Sequence, residues 1–521
     1  MKRLPLALFA GAALLSALTM LDGIQPNDEG LMLQAAARIA DGQVPYRDFW
    51  WFYPPGQPLL LGALWKVLGP SLLEWRVLRV LCDAAVSVLA WRLALRGGAS
   101  PRAALAVWLA AALAMAYPSG PHPYPPTLVL CLAALLTFEE RPLVAGVLAG
   151  LAAYWRLEFA GYLALGILLA CAVSRAPRTA GRFAGTALLT GVVAYAPIVA
   201  LAGVGRSWDL LVKYPLTEFS AYQSLPFPLH YDGPLNTGSV GGFLSDSAEN
   251  LLLFYLPLVL VVGLAVGLLG LAGTWSRDGA WRLAVAVFGI GMAHYLITRP
   301  DVFHTAPLAV VAAVLVGWAV SAAAPSERVA PAGRPAAGAR TVVVRSGPVL
   351  ALLGVAVLGY AIVEGADRRW LELRRDYVPL HLPVADGVRV PKGDRADIER
   401  AVAALRARVP PGEPTYIAPL RADLVTSGYP LLYVLADRPN PTRYDIEAPG
   451  VVTTLPVQRE IVADLERARP AAIVRDTSPL TAAREPNKAG RSSGVRFLDL
   501  YLATAFRPVA RYGRFVVLAR R

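Results

Sequence analysis

Ionisable side chains collect at the ends of apolar runs in this 521-residue chain, and their types suit chemistry on an anionic group carried by a lipid. Asp28 and Glu29 stand together in Pro26-Asn27-Asp28-Glu29-Gly30, just beyond the first apolar run. A carboxylate pinned at a membrane surface can act on a lipid substrate; acids in the first turn of a helix also complement its dipole. Arg47 and Asp48 follow in Pro45-Tyr46-Arg47-Asp48-Phe49. They offer a guanidinium steadied by its neighbour for a phosphate, or a plain structural salt bridge. Tyr53-Pro54-Pro55-Gly56 is a rigid turn, because consecutive prolines fix the backbone. Arg156 and Glu158 flank Leu157 between two apolar runs. Such residues either snorkel to an interface or face a wet cavity. Arg299, Asp301 and His304 lie within six positions of one another and fit a lipid-phosphate clamp, with Arg299 on the phosphate and His304 as a donor. His122 is a weaker candidate, and His294, inside an apolar run, reads as a packing residue. Asp28 and Glu29 can supply oxygen ligands to a divalent ion, but no further ligands can be named, and no His or Cys spacing suggests zinc. No metal or cofactor is expected.

These residues need a membrane to position them. Hydrophobic residues make up 56% of the chain and charged ones 17%, with twelve Trp, which are membrane-protein values. Apolar runs at Pro5–Leu21, Trp75–Leu95, Ala103–Tyr117, Pro125–Phe138, Leu143–Trp155, Phe159–Val173, Phe183–Ala202, Leu251–Gly273, Ala280–Ile297, Thr305–Ala323 and Val349–Val363 give about eleven transmembrane helices. The first follows Lys2-Arg3 and reads as a retained span, not a cleaved signal. Basic residues at 2–3, 92–102, 175–182, 277–282 and 328–345 alternate with loops poor in Lys and Arg, which puts the basic loops inside. The loops 22–74 and 203–250, the break at Arg156 to Glu158, the segment Arg299–His304 and everything beyond Glu364 then face outside. The Ala-, Pro- and Gly-rich stretch within 324–346 reads as a cytoplasmic linker. A net charge of +13 without basic clusters among exposed aromatics points to membrane topology and away from nucleic acid.

From about Ala366 the composition becomes that of a soluble domain. Helical periodicity at Ile398–Val409, Val457–Ala468 and Phe497–Ala505 alternates with strands at Thr415–Ala418, Ala471–Val474 and Phe515–Leu518. The fold class is a polytopic α-helical membrane domain, residues 1–365, followed by a small α/β domain, residues 366–521.

The order of first span, Asp-Glu-Gly, short helix, Gly-x-x-Pro-Tyr-x-Asp-Phe and Pro-Pro-Gly resembles the first external loop of GT-C membrane glycosyltransferases that use polyprenyl-phosphate sugars. Protein O-mannosyltransferases and lipid A aminoarabinose transferases belong to that group. The motif match covers roughly the first eighty residues; beyond it the likeness is one of architecture. The resemblance implies Asp28 as general base, with Glu29 orienting it or sharing the role. It implies that the Arg47-Asp48 segment shapes the cavity floor, that Tyr53 binds substrate, and that Glu158 is the second acid of the site. The donor implied is a polyprenyl-phosphate sugar and the acceptor a lipid, glycan or protein, with membrane lipids around them.

The expected function is therefore sugar transfer on the outer face of a bacterial plasma membrane, the bacterial source being suggested by high Ala and Arg usage. The alternative is a transporter or flippase of lipid-linked envelope intermediates, which would place charged groups near the bilayer midplane.

Overall fold

The architecture comes from a computed structural model that describes residues 3–115, 122–225, 258–259, 261–263, 277–299, 302–323, 352, 354–356, 358–359 and 362–521. The helices begin where the sequence supplies start signals. In chain order they are α1 (Leu4–Ala17), α2 (Asp28–Ala40), α3 (Gly56–Leu68), α4 (Leu72–Arg96), α5 (Pro101–Met115), α6 (Tyr124–Thr137), α7 (Pro142–Trp155), α8 (Leu157–Val173) and α9 (Pro177–Ala202). Proline occupies the first turn of α6, α7 and α9, where its missing N–H costs nothing. The Ser71 hydroxyl caps α4 by accepting from the Leu73 amide at 3.2 Å. After α9 come α10 (Arg277–Thr298) and α11 (Val302–Ala323).

Three helices of the described residues are long and apolar enough to cross a membrane: Pro177–Ala202, Gly279–Thr298 and His304–Ser321. Five more, α1 and α5 to α8, are apolar but have 10–17 residues. A helix of fourteen residues rises only about 21 Å against a hydrocarbon core of about 30 Å. The chain is a helical membrane protein with a small sheet domain at its C-terminal end. The expected spans at 251–273 and 349–363 lie outside the described residues except for short pieces, as does the linker at 324–346.

The segment expected as a long loop from 203 is helical from Val204 to Gln223, and is described to residue 225. Val204–Trp208 is α-helical, Asp209–Lys213 and Pro215–Phe219 are π-helical, and Ser220–Gln223 closes the run. Tertiary packing explains the difference: Leu210, Leu211, Tyr214 and Phe219 lie against the core that contains Trp50 and Phe52.

In the C-terminal region, a hairpin of β1 (Tyr377–Pro379) and β2 (Arg389–Pro391) precedes α12 (Lys392–Arg406). A second sheet has the order β3-β4-β6-β5, formed by Ile417–Ala418, Ala472–Asp476, Phe515–Arg520 and Phe506–Tyr512. Strands β3 and β4 are parallel and the other pairs antiparallel. Helices α13 (Leu431–Ala436), α14 (Leu455–Ala468) and α15 (Phe497–Ala505) complete the domain. Strand β5 escaped the sequence reading because it is a largely exposed edge strand whose register shifts after Pro508, so it lacks clean apolar alternation.

The chain boundary near 366 is not a packing boundary. One apolar core runs from Leu31, Leu33 and Trp51 into Leu431, Tyr433 and Ile473. Charged pairs fasten it. Arg38 of α2 grips Asp445 through Nε at 2.6 Å and Nη2 at 2.9 Å, and both side chains are almost wholly buried. Glu29 is 0% exposed and accepts from Arg76 Nε and Nη2, each at 3.0 Å. Arg76 also donates to the carbonyls of Met20 at 2.9 Å and Gly23 at 2.8 Å, so it ties α4 to the turn between α1 and α2.

Removing one partner of a buried pair strands the other's charge. Glu29→Ala or Arg76→Ala is expected to cost about 3–5 kcal/mol of stability. The check is thermal unfolding of the detergent-solubilised protein, with Asp28→Asn, at an exposed position one residue away, expected to leave the transition in place.

Candidate active site

Three consecutive residues at the start of α2 point three ways, because successive helical side chains diverge by about 100°. Glu29 turns inward to Arg76. Gly30 faces α13: a Cβ there would stand 2.1 Å from the Leu431 amide nitrogen, which donates to the Pro26 carbonyl at 3.1 Å. Only Asp28 is left on the exposed side. Asn27 steadies this corner, donating from Nδ2 to Asp28 Oδ1 at 3.1 Å and accepting from the Gly428 amide at 3.2 Å. The expectation that Glu29 orients Asp28 or shares its role is corrected by this geometry. The Glu29 carboxylate is spent on Arg76 and on the Gln25 amide at 3.2 Å.

Tyr53 is the residue on which the other candidates act in common. Its hydroxyl senses the charges of Asp28, Arg156, Glu158 and Arg299 together. Burial first, then the Asp28 carboxylate, pushes it above its ordinary range, with Arg156 and Arg299 opposing. It therefore stays protonated at neutral pH and can donate a hydrogen bond. The Tyr53 carbonyl accepts from the Tyr46 hydroxyl at 2.7 Å, which braces the turn. Just beyond it, a Cβ on Gly56 would stand 2.6 Å from the Tyr154 carbonyl and 2.9 Å from the Trp155 ring. The Pro-Pro-Gly turn thus lets α3 start directly against the end of α7, one residue before Arg156.

At Arg156 the backbone turns extended and separates α7 from α8. Its Nε is 2.5 Å from Glu158 Oε1, and its guanidinium lies 4.9 Å from the Tyr295 ring centroid and 5.5 Å from that of Phe159. Tyr295 in turn is 4.7 Å, ring to ring, from His304. His122 is buried, with its ring stacked on that of Tyr124 at 6.0 Å. Arg299 follows α10 and donates from Nη1 to the Gln223 carbonyl at 2.9 Å. It also meets Glu485 of the C-terminal domain, Nη1 to Oε2 at 3.1 Å and Nη2 to Oε1 at 3.0 Å.

Asp28, Arg156, Glu158 and Arg299 thus all act electrostatically on Tyr53, and Arg156 and His304 both lie against the Tyr295 ring. Arg47 and Asp48 stand apart. They form a bidentate pair at 2.9 and 2.8 Å in which Asp48 also accepts from the Val44 amide at 2.7 Å, so the acid closes a turn that Tyr46 enters at φ +69°. Arg47 is exposed, and its contacts among the described residues are to this turn and to Arg206. Asp301 lies outside the described residues. His294 is not a packing residue: it is exposed, with Nδ1 2.7 Å from the Tyr162 hydroxyl. Tyr295 was missed, although it lies one helical turn before Arg299 and so shares its face. Glu485 carried no local signal at all.

The fold has a known counterpart. The chain is similar to arabinofuranosyltransferase AftD from Mycobacteria, a single-particle cryo-EM structure, with a TM-score of 0.50 and 16% identity. The match covers 100% of this chain and 40% of that one, so this chain spans less than half the length of that protein. At this identity the likeness is one of fold. No protein-family model and no curated protein matches the chain.

Chemically, the candidate set combines one exposed carboxylate, two guanidiniums and a phenol that senses the charge of all three. Such a set can accept a proton on one side and hold an anion on the other. Among the described residues no group of three His, Cys, Asp or Glu side chains can hold a metal ion.

The close approach at Gly56 supports the whole cluster. Gly56→Ala is expected to cost about 1–3 kcal/mol through overpacking against Tyr154 and Trp155. Thermal unfolding measures it, and substrate binding should weaken along with it, since Tyr53 and Arg156 lie on either side of that contact.

Proposed function

We propose that the chain is a membrane glycosyltransferase of the GT-C type that moves one sugar from a polyprenyl-phosphate carrier to a lipid, glycan or protein acceptor on the outer face of a bacterial plasma membrane. The observation that carries this reading is that the Asp28 carboxylate and the Arg156 and Arg299 guanidiniums all act electrostatically on the Tyr53 hydroxyl. The likeness of fold to an arabinofuranosyltransferase supports the same reaction class.

In this reading Asp28 takes the proton of the acceptor hydroxyl as its oxygen bonds to the anomeric carbon. The bond from that carbon to the phosphate oxygen breaks, and the electron pair leaves with the phosphate. Arg299 and Arg156 hold the departing anion, so no acid catalyst is needed on that side. Tyr53 donates to a ligand oxygen between the two halves of the site. The polyprenyl chain lies along the apolar helices, in lipid.

The test is transfer from a panel of radiolabelled polyprenyl-phosphate sugars by the purified protein. Asp28→Asn should lower the rate by about two to four orders of magnitude, the usual contribution of a general base, at unchanged thermal stability. Transfer indifferent to that change would remove Asp28 from the reaction. The transport reading has one feature in its favour, the pair of Arg79 and Asp83 buried inside the bundle at 3.6 Å. Movement of the lipid across vesicles without any transfer would decide for it.

A further inference from the structure

The C-terminal domain reaches into the site through one built loop. Residues 483–490 are held from within: the Arg484 guanidinium donates to the carbonyls of Asn487 at 2.8 Å and Ala489 at 2.9 Å, and Asn487 Oδ1 accepts from the Ala489 amide at 2.7 Å. The loop is also moored to the short α-helical turn, Ser220–Gln223, that follows the π-helical segment. The Lys488 amide donates to the Ala221 carbonyl at 3.2 Å, and Asn487 Nδ2 to the Tyr222 carbonyl at 2.6 Å. The same Asn487 Nδ2 donates to Glu485 Oε2 at 3.0 Å, which aims the carboxylate.

That carboxylate takes the forked edge of Arg299, at 3.0 and 3.1 Å, with both side chains at least four-fifths buried. A guanidinium fork matches a carboxylate and a phosphate by the same pair of parallel hydrogen bonds. Nη1 is further engaged by the Gln223 carbonyl, so this edge is fully occupied. Two anions cannot share it: their charges would repel at contact distance in a partly desolvated site.

We infer that Glu485 is a latch that stands in for the phosphate of the lipid donor, and that donor binding and docking of loop 483–490 on Arg299 exclude each other. The inference rests on the proposed phosphate-binding role of Arg299, and gives the C-terminal domain a part in the cycle. When the lipid phosphate takes the fork, Glu485 is displaced, the mooring at Ala221 and Tyr222 loosens, and the side of the site that faces the domain opens to the acceptor. When the phosphate leaves, the carboxylate returns and closes the site against water.

The test uses the full chain in detergent or nanodiscs and a polyprenyl monophosphate that carries no sugar, with inorganic phosphate and a polyprenyl alcohol as separate arms. Glu485→Gln keeps the shape but removes the competing charge, and should tighten binding of the polyprenyl monophosphate by ~5- to 10-fold. Asn487→Ala, which frees the carboxylate from its aim, should tighten it less. In the unaltered protein, hydrogen exchange at 483–490 should rise when the lipid phosphate is added and stay unchanged with the alcohol. A rise with inorganic phosphate as well would mean that the anion alone releases the latch. Equal or weaker binding by Glu485→Gln, loop protection that is unchanged or increased by the lipid phosphate, or no binding of that lipid overturns the inference. Displacement of the loop without sugar transfer from any donor would sink the transfer reading and leave the latch standing.

Discussion

The buried pair of Glu29 and Arg76 is the constraint on which the rest depends. Two fully desolvated charges are tolerated only when each is satisfied, and here every contact of the pair is also a positional tie. Arg76 holds the carbonyls of Met20 and Gly23, Glu29 holds the Gln25 amide, and together they set the angle at which the chain leaves α1 and starts α2. Because Glu29 must point inward, the helical repeat sends Asp28 to the open side and Gly30 to α13. The rotational phase of α2 is thus decided by an interaction that takes no part in any reaction.

The C-terminal domain is packed onto the helical part and is not an appendage. It meets α2 by the ion pair of Arg38 with Asp445, the first turn through Asn27 and Gly428, and the far side through Glu485 on Arg299. The apolar core shared by α2 and the four-stranded sheet makes these contacts rigid at one end. At the other, loop 483–490 is moored mainly by hydrogen bonds and one ion pair, which exchange far more readily than a packed core. A domain fixed along one edge and held by polar contacts at the other is suited to opening locally.

Aromatic side chains do the rest of the positioning. The rings of Trp50, Phe52 and Tyr53 continue into Tyr214 and Phe219, with Phe52 4.5 Å from Phe219 and Trp50 4.9 Å from Tyr214. This cluster holds the π-helical segment down over the turn that carries Tyr53. On the opposite side, Tyr295 separates Arg156 from His304 and keeps both oriented. The site is accordingly built from helix ends and the turns between them, where backbone groups and charged side chains leave the apolar bundle.

The sequence alone determined that this is a helical membrane chain with a C-terminal α/β region, since apolar runs and their breaks are local properties. It also singled out Arg156, Glu158 and Arg299, because charged groups at the ends of apolar runs are rare enough to stand out, while Asp28 and Tyr53 were marked by the motif of the first external loop. Only the tertiary structure decided which of them meet. Adjacent residues such as Asp28 and Glu29 look equivalent in one dimension, and their separation follows from Arg76, which lies 47 positions on. Arg47 and Asp48 pair with each other, and Asp48 also accepts from the Val44 amide and closes a turn. Glu485 was invisible: an isolated acid in a polar loop has no periodicity or motif, and its meaning comes from Arg299, 186 residues away in the chain. Burial and long-range pairing belong to the folded chain as a whole, and no local pattern encodes them.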